Sequence, residues 1–149
     1  TIGLIVSILV IQLVAIFGAW ITSQLVSKYG TIKVLIVLNF LWICICTYAY
    51  FVITPNDFYI AAFCVGLVMG GIQSLSRSTY SKLIPTDAKD TTSFFSFYDV
   101  AEKIGIVIGL LTYGYIADIT GRIQNAILFL ILFFIVGLLL LLRVPKNKI

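Results

Sequence analysis

Histidine is absent from the 149-residue chain, and acidic residues number only six. With no imidazole, the commonest general base and the commonest metal ligand are both missing. No G-x-x-x-x-G-K-[ST] loop occurs, which excludes a phosphate-cradling motor of that type. No serine stands in a strand-to-helix elbow of the hydrolase kind. Three cysteines are present, Cys44, Cys46 and Cys64, all inside apolar runs and without a CxxC pair. Cys44 and Cys46 are two apart, so on a helix they face different directions. Packing is the expected role of all three, with no disulfide framework, no metal and no cofactor. The chain does not read as an enzyme.

Charge is equally scarce. Only 11% of residues are charged, whereas a soluble domain has about 25%. Hydrophobic residues make up 61% and the mean hydropathy is +1.13. A soluble globule of this length has too little interior to hide so much apolar surface. The expected class is an all-α membrane protein whose first partner is the lipid bilayer. The net charge of +4 does not indicate nucleic acid, because the basic residues sit between apolar runs, as loop charges do in membrane proteins.

A span needs about 20 mostly apolar residues. Five segments qualify, at about 2–22, 32–53, 58–76, 93–116 and 123–142, forming one helical bundle over residues 1–149. The connections are short, and none suggests a second domain. Lys28, Lys33, Arg77, Lys82, Lys89, Arg143, Lys146 and Lys148 fall on one side of the expected membrane, and only Arg122 on the other. That bias makes the first side cytoplasmic, and with it the C-terminus, in a multi-pass protein of the cell membrane. Five spans that begin outside imply at least one further helix upstream of Thr1.

Lys103 belongs to neither side. It lies within the fourth span together with Asp99 and Glu102. Counted from Phe94, Asp99 is about 8 Å deep and Lys103 about 14 Å deep. Each such charge costs on the order of 2.5–3.5 kcal/mol near the bilayer centre. Asp99 and Lys103 have the i,i+4 spacing of an intrahelical ion pair. Glu102 shares a face with Gly105 and Gly109, a G-x-x-x-G spacing suited to close helix contact. The third span offers a matching surface in Gly66 and Gly70, followed by Gln73, Ser74, Ser76 and Arg77. The expectation is that the third and fourth spans pack through these four glycines. Gln73 would then share a cavity with Glu102, and Arg77 would snorkel to the interface. Asn39 would form an interhelical hydrogen bond. The cluster reads either as a structural ion pair or as a solute and proton site.

The loop "SQLVSKYGTIK" resembles the cytoplasmic loop motif of the major facilitator superfamily, with Leu25, Lys28, Gly30 and Lys33 in place, Ser23 where the motif has glycine and Ser27 where it has an acid. The stretches "GGIQSLSRSTYSKLIP" (70–85) and "FFSFYDVAEKIGIVIG" (94–109) resemble the vacuole-effluxer-like branch of that superfamily, related to the autophagy-linked amino-acid effluxers of fungal vacuoles. Gly70, Gly71, Gln73, Ser76, Arg77, Tyr98, Lys103 and Gly109 carry the likeness. The resemblance implies a twelve-helix fold in two halves, of which these spans would be helices eight to twelve, part of the C-terminal half-bundle. It implies secondary transport of a small solute, amino acids among the options, by alternating access. The missing N-terminal helices would be partners in the same protein. Lys103 would centre the site, with Gln73 and Tyr98 beside it; Asp99 and Glu102, which stand where the family would have an amide and a small residue, join it on the reading of the charged cluster. The alternative is a non-transporting membrane scaffold or assembly subunit whose polar groups serve helix packing.

Overall fold

The computed structural model describes residues 2–86 and 90–144. It contains five helices: α1 (Ile2–Tyr29), α2 (Thr31–Tyr50), α3 (Pro55–Leu83), α4 (Thr91–Thr120) and α5 (Ile123–Leu142). The chain is an all-α membrane protein in which α1, α2, α3 and α5 are long and apolar enough to cross a bilayer. The fourth helix exceeds them in length but carries Asp99, Glu102 and Lys103. Lys89, Lys146 and Lys148, which contribute to the charge asymmetry, lie outside the described residues.

Local chemistry sets the boundaries. Between α1 and α2 a single residue, Gly30, breaks the helical path at φ 85°, a left-handed value that favours glycine. At the start of α3, Thr54 and Asp57 form a reciprocal capping box, with Pro55 in the first turn. This helix runs well past residue 76, through the polar "SLSRSTYSK" stretch. Nothing breaks it until Ile84, which precedes Pro85 and is extended as pre-proline residues prefer. The α4 C-terminus closes on Gly121 at φ 63°.

The N-terminus of α4 is capped by Asp90, which accepts hydrogen bonds from the Ser93 amide at 3.2 Å and the Ser93 hydroxyl at 2.5 Å. Those donors, led by the hydroxyl, hold the Asp90 carboxyl below its ordinary range. A depressed folded-state pKa gives stability that is present above the unfolded value and is lost as pH falls through the folded one. The melting temperature of the wild type should therefore fall more steeply between about pH 5 and about pH 3 than that of Asp90→Asn, which keeps a neutral cap acceptor. Parallel melting curves for the two proteins would contradict this account.

The extensive contacts run α1 to α3, α3 to α2, α2 to α5 and α5 to α4, and α4 also meets α3 through side chains. The α1–α3 contact is the most extensive and rests on small residues. A Cβ at Gly66 would lie 2.8 Å from the Ile11 carbonyl oxygen. One at Gly70 would collide with the Ala15 backbone, one at Gly18 with the Leu67 backbone, and one at Gly71 with the Thr22 side chain. A core of Val34, Leu35, Leu38, Val68 and Leu75 joins α2 to α3. Trp42, which packs against this core, also stacks on Phe134 of α5, with ring centres 5.3 Å apart.

This corrects two expectations. The third and fourth helices do not pack through glycines. Gly66 and Gly70 are used by α1, whereas a Cβ at Gly105 or Gly109 would meet nothing within 4 Å among the described residues. Glycine spacing allows close approach but does not say which helix approaches. Asn39 is buried at the α2–α5 contact beside Gly137, yet its Oδ1 has no hydrogen-bond partner among the described residues. The residue opposite is glycine and offers no side-chain donor.

Candidate functional site

The polar side chains of α3 and α4 converge at one end of these helices. On α4, Phe95, Tyr98, Asp99 and Glu102 follow the i, i+3, i+4, i+7 spacing of one helical face. On α3, Gln73, Ser76, Arg77 and Tyr80 form the opposing stripe. Arg77 crosses between them: its Nη1 lies 3.1 Å from Asp99 Oδ1. The same guanidinium lies 5.7 Å from the Phe95 ring centre and 5.9 Å from that of Tyr98, within cation–π range. Tyr80 contacts the Tyr98 ring at 4.9 Å, and its hydroxyl donates to the Phe94 carbonyl at 3.0 Å.

Beyond this contact the helices diverge, leaving a cleft of about 460 Å³ lined by Gln73, Ser74, Ser76, Arg77, Tyr98 and Glu102. Arg77 is six residues from the end of α3, or about 9 Å. Glu102 is eleven residues into α4, or about 16 Å. The cleft thus extends from near the helix ends toward the depth of a bilayer midplane. The Arg77 and Asp99 side chains remain 54% and 47% exposed among the described helices, so the pair is not locked in their core. A pair held this loosely can exchange partners.

Four of the expected site residues, Gln73, Tyr98, Asp99 and Glu102, come together here, and Gln73 shares the cleft with Glu102 as expected. Two expectations are corrected. Asp99 pairs with Arg77, and no Asp99–Lys103 ion pair forms among the described residues. An intrahelical i,i+4 pair is worth only about 0.2–0.5 kcal/mol, and the facing guanidinium offers directed hydrogen bonds that an ammonium does not. Arg77 therefore does not snorkel away. Lys103 is exposed and is not among the residues lining the cleft. Sequence reasoning missed Tyr80 and Phe95 as parts of the contact; their spacing from Arg77 and Asp99 was the available signal.

The loop-motif residues form a separate group. Lys28 and Lys33 are exposed on either side of Gly30. Leu25 is 38% exposed. Lys82 Nζ reaches across from α3 to donate to Thr31 Oγ1 at 3.1 Å.

Four apolar helices of membrane-crossing length define a multi-pass membrane protein. The family model described as "Vacuole effluxer Atg22 like" matches residues 1–149, and the chain belongs to that family. It is 34% identical over 145 residues to a Bacillus subtilis protein named "Uncharacterized MFS-type transporter YxiO", covering 97% of this chain and 33% of that protein. It is 38% identical over 84 residues to Autophagy-related protein 22 of Eremothecium gossypii, covering 56% of this chain and 16% of the relative. With the Cryptococcus neoformans protein of the same name it shares 35% identity over 95 residues, or 64% of this chain and 17% of the relative. The chain thus spans about a third or less of these relatives. No solved structure matches significantly.

Proposed function

We propose that this chain forms part of a secondary active transporter that moves a small solute by alternating access, with the α3–α4 cleft on the solute path. The observation that carries the proposal is the half-exposed Arg77–Asp99 pair at a cleft that Glu102 also lines. Intramembrane ionisable groups are costly and usually mark a pathway. The family membership and the MFS-type relative support the same reading.

The cleft chemistry suits an amino acid. A guanidinium takes a carboxylate in bidentate fashion, so an arriving carboxylate competes with Asp99 for Arg77. Asp99, once released, and Glu102 can then accept the solute ammonium. Protonation of Glu102 would couple binding to a proton gradient. In this reading the helices correspond to the eighth to twelfth of a twelve-helix protein, with the C-terminus cytoplasmic. The open face of α4 around Gly105 and Gly109 receives a helix encoded upstream. Lys103, outside the cleft lining, serves as a flanking charge rather than the centre.

The test uses the complete protein in proteoliposomes with an amino-acid panel. Glu102→Gln should abolish uptake driven by a pH gradient while retaining solute exchange at zero gradient. Unchanged gradient-driven uptake in this variant would remove Glu102 from coupling. No uptake or exchange of any solute by the wild type would remove the transport reading itself.

A further inference from the structure

An arginine so near a helix end has an easier place to go than the cleft. Arg77 is six residues from the end of α3, or about 9 Å, and a side chain of its length can reach from there to the aqueous interface. Its guanidinium instead turns across to α4 and meets Asp99, which is eight residues, or about 12 Å, from the start of that helix. The ion pair is one reason. Yet Asp99 is the partner that an arriving carboxylate displaces, so it cannot be what keeps Arg77 in the cleft during the exchange.

Aromatic rings supply a second hold. The guanidinium carbon lies 5.7 Å from the Phe95 ring centre and 5.9 Å from that of Tyr98. Arginine is weakly hydrated and stacks on ring faces, and that attraction does not depend on a carboxylate. Tyr80 follows Arg77 by three residues, on the same face and one turn nearer the end of α3. Its ring lies 4.9 Å from Tyr98 and 6.2 Å from Phe95, and its hydroxyl donates to the Phe94 carbonyl at 3.0 Å. Phe95 precedes Asp99 by one turn, nearer the start of α4. Tyr80 and Phe95 thus lie closer to the helix ends than the ion pair does, on the side toward which the arginine would extend to reach water. The Tyr80 hydrogen bond ties this group across both helices.

We propose that Phe95, Tyr98 and Tyr80 form an aromatic seat that positions Arg77 in the cleft independently of Asp99. The seat makes Asp99 an exchangeable partner. When a solute carboxylate displaces it, the guanidinium stays at depth with its donors directed into the cleft. The rings are positioning residues, and Arg77 is the group that touches the carboxylate. The exchange rests on the reading of the cleft as a solute path, whereas the seat itself does not.

The experiment is NMR of the complete protein in lipid nanodiscs with isotope-labelled arginine, the Arg77 Nε–Hε signal being assigned by its loss in Arg77→Lys. A proton held over a ring face is shifted upfield. The wild-type Arg77 signal should lie upfield of exposed arginines, and it should stay there in Asp99→Asn. Phe95→Leu with Tyr98→Leu should return it to the exposed range, whereas Tyr98→Phe, which keeps the ring, should not. Sodium acetate serves as the carboxylate probe. Asp99→Asn should bind acetate more tightly than the wild type, because a competitor is gone, and the double leucine variant should bind it roughly ten-fold more weakly. A wild-type signal in the exposed range, or collapse of the shift in Asp99→Asn, would overturn the proposal, since the rings would then not hold Arg77 by themselves. Weaker acetate binding by Asp99→Asn would do the same. So would an unchanged signal in the double leucine variant or, should that variant not fold, in Phe95→Leu alone, where partial loss of the shift is expected. Acetate without effect on the Arg77 signal of the wild type and of Asp99→Asn would instead remove the carboxylate reading of the cleft, and the ring shift would still decide the seat.

Discussion

Gly70→Ala should leave little folded protein, whereas Gly105→Ala should be tolerated. Each substitution adds one methyl group to a helix. At Gly70 the new Cβ would collide with the backbone of Ala15, and Gly18 and Gly66 hold the same two helices equally close. Backbone cannot rotate aside as a side chain can, so α1 and α3 must separate along their length. Overpacking of side chains costs about 1–3 kcal/mol, and a backbone clash falls at or above the top of that range. That is a large share of a typical stability of about 5–15 kcal/mol. At Gly105 a Cβ meets open space, and alanine favours helix by about 1 kcal/mol over glycine. Melting temperatures and monodisperse yield in detergent read both effects. Equal behaviour of the two variants would mean that the α1–α3 approach is not as described.

Arg77→Met should reduce solute uptake by the complete protein roughly 10- to 100-fold, as expected from a loss of about 1.4–2.8 kcal/mol of solute binding. It should also destabilise the fold, because Asp99 is left at bilayer depth without its cation. The double variant Arg77→Met with Asp99→Leu removes that stranded charge and should recover stability. The two readings of the cluster separate at this point. If the pair only holds α3 against α4, uptake recovers along with stability. If the pair receives the solute, the folded double variant remains inactive. Near-wild-type uptake by that variant would make the contact a structural lock and put the solute path elsewhere. The equivalent change at Lys103 should have the smaller effect, since that residue is not among those lining the cleft.

The helices were legible from hydropathy because a bilayer imposes length and apolarity on each span separately. Residues 123–142 coincide with α5, and the capping chemistry at Thr54 and the glycine at 121 mark ends in the sequence itself. Less legible was the extent of α3. Its last turns are polar and resemble loop, but helix propensity continues until Pro85 intervenes. Partner choice was not legible. Gly66 and Gly70 carry the same spacing as Gly105 and Gly109, and only three-dimensional order assigns the first pair to α1 and leaves the second open. The cleft was half legible. Asp99, Glu102, Tyr98 and Gln73 could be gathered from helical faces, yet the rule that pairs Asp99 with Lys103 considers one helix alone. The competing cation came from Arg77, 22 positions earlier in the chain, at a distance of 3.1 Å.

The cross-helix ion pair also bears on how the chain is made. The bilayer is a poor solvent for α4: three ionisable side chains lie within five residues, and none of its residues is buried by its neighbours. Segments are synthesised in order, so α3 is available before α4 leaves the ribosome. Arg77 is then already in place when Asp99 arrives, and partial neutralisation lowers the barrier to inserting the least apolar helix. Biogenesis would depend on this pair before any solute meets it. A chain lacking the arginine would insert α4 less efficiently, so part of its loss would appear as yield rather than as activity per folded molecule.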